Sequence, residues 1–303
     1  MRSRIRPDRQ LTVRMGATMF LLGLLYVAFA AALVVLLRSV VLIVVIVAGL
    51  MVAQYWFSDR IALAALRGRV VTPEQEPRLH AVVDRLCALA DLPKPRVAVA
   101  ELDLPNAFAT GRNAEHAVVC VTRRTLDLLD DRELEGVLAH ELAHVAHRDV
   151  AVITVASFLG VVAGLLMRTT VFSQAFGRRR DQGTAAVLAA VTLVSALVYA
   201  ISFLLIRALS RYRELAADRD GALLTANPSA LASALMKITG DTARIPRRDL
   251  REVQAFNAFF IAPVGGRLAA LFATHPALDV RLERLADLAV QIGGTTENPE
   301  GGR

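Results

Sequence analysis

Residues 131–148 read DRELEGVLAHELAHVAHR, and this stretch contains an H-E-x-x-H motif formed by His140, Glu141 and His144. The segment 130–133, DDRE, is typical of a helix N-terminus, because an Asp side chain accepts hydrogen bonds from the exposed amides of a first turn. We therefore predict a helix that runs through His147. In a helix, a four-residue spacing places both imidazoles on one face, about one turn apart.

The motif has a defined chemistry when its helix presents both histidines to one point. The two imidazoles can bind a single Zn²⁺ at about 2.0–2.1 Å, one ion per chain. Glu141 lies beside them and can accept a proton from metal-bound water and return it to the leaving amine. This predicts peptide hydrolysis by activated water. The alternative is a short pattern that arose by chance, and the helical context favours the metal site.

A catalytic zinc site needs a third protein ligand and keeps a fourth position for water. The segment 210–218, SRYRELAAD, supplies Glu214 just after a long apolar run, and we predict that Glu214 is this ligand. Asp218 follows one turn later, where it can orient a ligating histidine through the other ring nitrogen. The alternative is an exposed helix whose charges pair in solvent. His147 is predicted to end its helix or to support a ligand.

The apolar content of the chain predicts contact with lipid. Hydrophobic residues make up 55% of the sequence, which exceeds what the interior of a soluble domain needs. Four segments are about long enough to cross a bilayer, although the second and third are near the lower limit of roughly 17 residues. The first is too long for a signal peptide and has no cleavage signature. The four segments, paired as two hairpins, are 15–37, 40–57, 150–167 and 185–209.

Basic residues around these segments predict their orientation. Arginines cluster before the first segment and after the second, so both ends of the first hairpin should lie in the cytoplasm. This predicts a multi-pass protein of the cell (inner or plasma) membrane, with lipid as a partner and a cytoplasmic catalytic domain. The loop 168–180 also carries arginines, which the same rule would keep inside. The second hairpin is therefore either fully spanning or shallow and interfacial.

Charge and cysteine content argue against a nucleic-acid-binding protein and against a cysteine-based redox or metal site. The net charge of +7 suits anionic lipid or nucleic acid, but no zinc knuckle or recognition-helix pattern accompanies it, so we predict no nucleic-acid binding. Cys87 and Cys120 have the spacing of neither a redox pair nor a metal site. Both are predicted to be small buried side chains.

The remaining segments predict a mainly α fold with a small β-sheet (α+β). Helices are expected over 76–90, 211–224, 228–238 and 278–290, and strands over 96–102 and 116–122 with a turn at 111–113. The tail after Gly293 is predicted to be disordered. The predicted domain organisation is a first hairpin, a first half of the catalytic domain, a second hairpin, a second half and a tail, over 1–57, 58–149, 150–209, 210–292 and 293–303.

Four elements together resemble the HtpX-like M48 metallopeptidases, and the resemblance covers most of the chain. They are PNAFATG at 105–111, HELAH at 140–144, RELAAD at 213–218 and THP at 274–276. The resemblance implies a zincin-like catalytic domain with two transmembrane hairpins. It also implies cleavage of misfolded or membrane proteins at the cytoplasmic face, in membrane-protein quality control. The implied gluzincin-type zinc ligands are His140, His144 and Glu214, with Glu141 as general base.

The resemblance gives roles to two less obvious residues. Asn106 is expected to hold the substrate backbone while the strand after it, edge-like, pairs with an extended peptide. By itself, Asn after Pro is more often a turn residue. His275 is expected to stabilise the transition state or position the substrate; the alternative is a loop-capping histidine. Leu215 stands where the family often has an aromatic residue, and His147 is unusual. These departures concern substrate preference.

Two other functions are compatible with a metal-binding motif. An intramembrane protease of the site-2 type needs its motif inside a span, but Arg132, Glu133 and Glu135 place this helix in protein. A membrane scaffold or sensor would use a structural zinc, which normally has four protein ligands. The sequence leaves open the substrate, the cleavage preference and assembly into a homo-oligomer.

Overall fold

The structure, a computed structural model, describes seven helices and four strands in the chain segments that it covers. The described residues are 9–37, 49, 52, 56, 59–60, 62–64, 66–111, 113–149, 163, 171, 182–244 and 276–296. The helices are α1 Arg9–Leu37, α2 Pro77–Ala90, α3 Arg123–Leu128, α4 Asp131–Ala146, α5 Gln182–Thr225, α6 Pro228–Thr242 and α7 Leu278–Thr296. The strands are β1 Gly68–Val70, β2 Arg96–Ala100, β3 Ala107–Thr110 and β4 Val118–Thr122.

The chain divides into two compact units. One unit, here the apolar unit, comprises Arg9–Phe57 and Ala151–Leu209. The other, here the α+β unit, comprises Met1–Asp8, Ser58–Val150 and Ser210–Arg303. The five predicted domain ranges remain a prediction.

Two helices within the described residues are long and apolar enough to cross a membrane. These stretches are Arg9–Ala32 and Ala185–Thr225. Many of their large side chains are exposed, including Phe20 and Leu193, as lipid contact requires. The predicted first and fourth spans thus lie on described helices. The segments 40–57 and 150–167 fall almost wholly outside the described residues, so the two hairpins remain a prediction.

A mixed four-stranded sheet forms the β part of the α+β unit. Its strand order is β1-β2-β4-β3, with β2 and β4 parallel and the two outer pairs antiparallel. The two strands predicted from the sequence are confirmed as β2 and β4, each shorter than predicted. β3 follows Asn106 and lies at one edge of the sheet. β1 was not predicted.

Side chains alternate between two apolar layers along the central strands, as the two-residue period of a strand requires. Val119 and Val121 of β4 pack on the core formed with α2, α4 and α6. Val118 and Cys120 point to the opposite face, where a smaller cluster includes Leu66 and Phe108. Both cysteines, Cys87 and Cys120, are free thiols in buried positions, as predicted.

The helices of the α+β unit largely follow the sequence prediction. α2, α4 and α6 occupy the predicted segments, and α4 ends at Ala146 with His147 as its C-cap. The predicted span 185–209 and the predicted helix 211–224 are one continuous helix, α5. The tail prediction is wrong for residues 294–296, because α7 continues to Thr296. An established helix adds one hydrogen bond with each further residue, so it extends over residues that have no apolar face.

Candidate metal centre

The local sequence of α4 explains why its polar motif lies inside the protein. Asp130 accepts hydrogen bonds from the amides of Arg132 and Glu133, and Glu133 accepts one from the Asp130 amide, which completes a capping box. Glu133 also accepts from Ser233 Oγ at 2.6 Å and Lys237 Nζ at 2.7 Å, and these contacts tie α4 to α6. Residues 136–145 are all buried. The polar side chains among them therefore need partners within the protein.

Three buried side chains converge at the centre of the unit. His140 and His144 come from α4 and Glu214 from α5, and one potential ligand atom from each lies within 4.8 Å of the others. Glu214 Oε2 is 3.5 Å from His140 Nε2, and Glu214 Oε1 is 3.4 Å from His144 Nε2. Three donors held about 2.0–2.1 Å from one tetrahedral ion would be about 3.3–3.4 Å apart. The two histidine–glutamate separations, each measured to a different oxygen of Glu214, are close to this value, and the three side chains together could hold a metal ion.

The second ring nitrogen of His140 faces another carboxylate. His140 Nδ1 lies 2.9 Å from Asp218 Oδ1. Arg281 of α7 donates to both oxygens of Asp218, from Nε at 2.7 Å and from Nη2 at 2.7 Å. This contact directs the Nε2 atom of His140 towards Glu214. It is the arrangement that the sequence predicted for Asp218.

His144 has a matching partner that the sequence analysis missed. Its Nδ1 lies 2.9 Å from Asp149 Oδ2, and Arg213 Nε is 3.0 Å from the same oxygen. The Asp149 carboxylate lies next to His144 because Arg148, just after α4, has a left-handed backbone with φ 58° that turns the chain back towards the helix. An acidic residue just beyond the end of a ligand helix is the signal that could have identified it.

Among the described residues, the charged side chains around the three candidate ligands carry an excess of negative charge. Four buried carboxylates, Glu141, Asp149, Glu214 and Asp218, face two buried guanidiniums, Arg213 and Arg281. With neutral imidazoles this leaves two excess negative charges, and buried charge without compensation is costly. A divalent cation at the ligand atoms would compensate both.

The protonation behaviour of His144 reports the same excess of negative charge. Burial opposes protonation of this imidazole, but the Glu214 and Asp149 carboxylates outweigh burial and raise its pKa to about 10. The carboxylates thus favour a positive charge here, either a proton or a metal ion.

Glu141 is placed beside the ligands and bonded to the edge strand. Its Oε2 accepts a hydrogen bond from the Ala109 amide of β3 at 2.9 Å. Burial raises the pKa of Glu141, and the neighbouring histidines oppose this rise without cancelling it. A carboxylate with increased proton affinity suits a group that must accept a proton and release it again.

The profile of peptidase family M48 matches residues 73–289, which contain all of these side chains. The chain belongs to peptidase family M48. It is 66% identical to "Protease HtpX homolog 1" of Streptomyces coelicolor over 97% of each chain. It is also 50% identical to "Protease HtpX homolog" of Moorella thermoacetica, over 96% of this chain and 99% of that one. The resemblance to HtpX-like peptidases is therefore confirmed, and the chain is a metalloprotease.

The M48 fold is also evident in a solved structure. Ste24p of S. mikatae superposes with a TM-score of 0.51 at 16% identity, over 92% of this chain and 67% of that one. This similarity concerns the fold. It supports the mainly helical zincin-like architecture with a small sheet.

Three other residues of this M48 chain were singled out in the sequence. Asn106 immediately precedes β3, and its carbonyl accepts from the Thr122 amide at 2.9 Å and from Thr125 Oγ1 at 2.9 Å, which anchors the start of the edge strand. His275 lies outside the described residues, and its role remains a prediction. His147 stands apart from the three ligands, with Nε2 2.9 Å from Asp220 Oδ2, as expected for a helix-end residue.

A glycine that the sequence analysis did not single out brings α5 against α4. A Cβ atom on Gly221 would lie 2.8 Å from the backbone nitrogen of His140. Only a residue without a side chain permits this approach. A lone glycine inside a helical segment was the available signal. The crossing places the helix that carries Glu214 directly on the helix that carries the histidines.

Proposed function

We propose that this M48 chain is an integral-membrane endopeptidase that uses one zinc ion bound by His140, His144 and Glu214, with Glu141 as general base. The observation that carries the proposal is the convergence of the three buried side chains, which bring one potential ligand atom each within 4.8 Å of the others, with the Glu141 carboxylate beside them. Two histidines and a glutamate are a ligand set of catalytic zinc sites. Because other divalent ions also bind such donors, metal analysis is part of the test.

The residues around the ligands fix their orientation. The hydrogen bond between His144 Nδ1 and Asp149 favours the tautomer in which His144 Nε2 is available to a metal, and Asp218, 2.9 Å from His140 Nδ1, favours the same tautomer of His140 by its charge. His140, His144 and Glu214 would hold a zinc ion that, when bound, would supply a water of lowered pKa, about 7, and a Lewis acid for the scissile carbonyl.

Glu141 transfers the proton. Ala109 holds its Oε2 atom through a backbone amide, which leaves Oε1 to accept the proton and deliver it to the leaving amine. The raised pKa of this buried carboxylate makes its protonated form accessible during the reaction.

The position of Glu141 also supports an extended peptide as substrate. The Ala109 amide that bonds Glu141 is not engaged with β4, so the Glu141 carboxylate lies at the outer edge of β3. An extended peptide that pairs with this edge would bring its backbone next to the general base. We assign substrate positioning to Asn106, at the start of β3, and to His275.

A substrate that must adopt an extended conformation favours unfolded segments, and the two apolar helices support a location in the membrane. We therefore infer that it cleaves misfolded or membrane proteins, as a membrane-protein quality-control protease of the cell membrane. The arginines that flank the first predicted hairpin support a cytoplasmic catalytic domain.

The test uses the full chain purified in detergent. Wild-type protein and Glu141→Gln are each expected to contain one zinc per chain, whereas Glu214→Gln is expected to lose it. Casein cleavage should fall about 10²- to 10⁴-fold in Glu141→Gln, because this variant keeps the shape of the side chain but cannot accept the proton. Undiminished cleavage by Glu141→Gln would contradict the assignment, as would zinc-free active enzyme.

A further inference from the structure

Arg281 is a buried arginine to which the proposed mechanism gives no role. It lies in α7, its side chain is 3% exposed, and the carboxylate it binds is equally buried. Both hydrogen bonds of the pair are 2.7 Å long, and the two residues are 63 positions apart in the chain. The pair therefore joins α7 to α5 in the interior of the α+β unit.

The carboxylate of Asp218 connects this arginine to a metal ligand. Its Oδ1 atom accepts a hydrogen bond from Arg281 Nη2 at 2.7 Å and lies 2.9 Å from His140 Nδ1. The planar guanidinium binds both oxygens in a fixed geometry, which sets the plane of the carboxylate. Because His140 Nδ1 lies 2.9 Å from Asp218 Oδ1, a carboxylate held in one place restricts where the imidazole can lie, and with it the direction in which Nε2 points.

We propose that Arg281 is a positioning residue for the metal ligand His140, acting through Asp218, so that helix α7 completes the metal centre. The inference rests on the proposed zinc site. It adds a requirement that the ligands themselves do not impose: α7 must be docked for His140 to be held in its binding orientation.

The chain offers a matched control for the pair. Arg124 donates to both oxygens of Asp241, from Nε at 2.8 Å and from Nη2 at 2.7 Å. This pair has the same forked geometry, but it joins α3 to α6 on the surface. The effect of removing a bidentate arginine can thus be compared between the buried Arg281–Asp218 pair and the surface Arg124–Asp241 pair.

The experiment measures Zn²⁺ affinity of the metal-free full-length protein in detergent, by competition with a chromophoric chelator. Arg281→Gln is expected to weaken Zn²⁺ binding about 10- to 100-fold, the usual effect of losing an outer partner of a metal ligand. Arg281→Lys should bind Zn²⁺ with intermediate affinity, because lysine keeps the charge without the fork. Arg124→Gln should leave the affinity within about twofold of wild type.

A double-mutant cycle separates positioning from a general effect on folding. If Arg281 acts through Asp218, the affinity of Asp218→Asn/Arg281→Gln should equal that of Asp218→Asn alone. The double variant leaves no unpaired buried ion, whereas Asp218→Asn leaves Arg281 unpaired, so the comparison uses variants with a native circular dichroism spectrum. If Arg281→Gln does not fold, Arg281→Lys, which keeps the charge, takes its place in the affinity measurement.

The outcomes distinguish this inference from the proposed function. Wild-type Zn²⁺ affinity in a folded Arg281→Gln variant would refute the inference alone, as would a further loss of affinity in the double variant relative to Asp218→Asn. A wild-type protein that binds no Zn²⁺ would refute the proposed function, and with it this inference.

Discussion

Replacing Gly221 by alanine would place a methyl group against the backbone of the helix that carries the histidines. The added Cβ would lie 2.8 Å from His140 N, 3.0 Å from His140 Cα and 3.1 Å from the carbonyl carbon of Ala139. Ordinary contact begins at 3.4 Å, so α5 and α4 would have to separate by about 0.6 Å, the difference between 3.4 and 2.8 Å, to restore it. Both partners are backbone, and no side chain can rotate away.

This displacement is large compared with the tolerance of a metal site. Metal–ligand distances are held to about 0.2 Å, and a misplacement of about 1 Å can reduce catalysis on the order of 10²-fold. Glu214 lies on the same helix as Gly221, so it would move away from the histidines. Overpacking costs about 1–3 kcal/mol, while alanine gains about 1 kcal/mol in helix propensity over glycine. We expect a small loss of stability and a decrease in Zn²⁺ affinity and in kcat/KM on the order of 10²-fold.

Two other glycines provide the controls for Gly221→Ala. Gly240 has no atom within 4 Å of its added Cβ, so Gly240→Ala should keep wild-type affinity and gain up to about 1 kcal/mol of stability. Gly136 would meet the backbone of Leu231 at 3.1 Å, so Gly136→Ala should lose stability with little loss of affinity. Thermal unfolding, zinc competition and peptide cleavage report the three properties. Wild-type affinity in folded Gly221→Ala, or an equal loss in Gly136→Ala, would refute the reasoning.

Three further predictions follow from individual contacts. Asp149→Asn should reduce Zn²⁺ affinity about 10- to 100-fold with an unchanged circular dichroism spectrum, because it weakens the contact to His144 Nδ1, and unaltered affinity would contradict this role. Burial opposes ionisation of Glu133, but the contacts of this carboxylate to α6 outweigh burial and lower its pKa below 4.5. The ionised Glu133 therefore stabilises the fold above pH 4.5, and this stabilisation is lost as the pH falls through the lowered pKa. The difference in unfolding free energy between wild type and Glu133→Gln should therefore shrink below pH 4.5, and a constant difference would exclude this linkage. Burial raises the pKa of Cys87 to about 11 and of Cys120 to about 12, so iodoacetamide at about pH 8 should label neither thiol until the protein is denatured, and labelling of native protein would contradict their burial.

Local sequence was sufficient for the elements that depend on residues close in the chain. The capping box at Asp130 and Glu133 and the four-residue spacing of the histidines act within a few turns of one helix, and the structure shows both. The valine-rich segments of β2 and β4 likewise form strands. β1 was missed because its three residues carry no alternation of their own, and pairing with β2 determines their conformation.

The supporting residues of the metal centre were harder to predict. Asp149 lies near His144 in sequence, but only the left-handed turn at Arg148 brings it to the imidazole. Arg281 has no local pattern that links it to Asp218, because their contact depends on how α7 packs against α5. The close approach at Gly221 depends in the same way on the crossing of two helices.

By itself, the sequence determined the chemistry available to this protein: two histidines on one helical face, a glutamate between them that could act as a base, and apolar segments long enough for a membrane. These properties follow from the periodicity of a helix and from side-chain type, which are local. The tertiary structure alone decided which carboxylates and arginines surround the ligands, where the general base meets the edge strand, and how closely α5 approaches α4. Those properties depend on packing between segments distant in the chain, and packing distances of tenths of an ångström are not encoded in any local pattern.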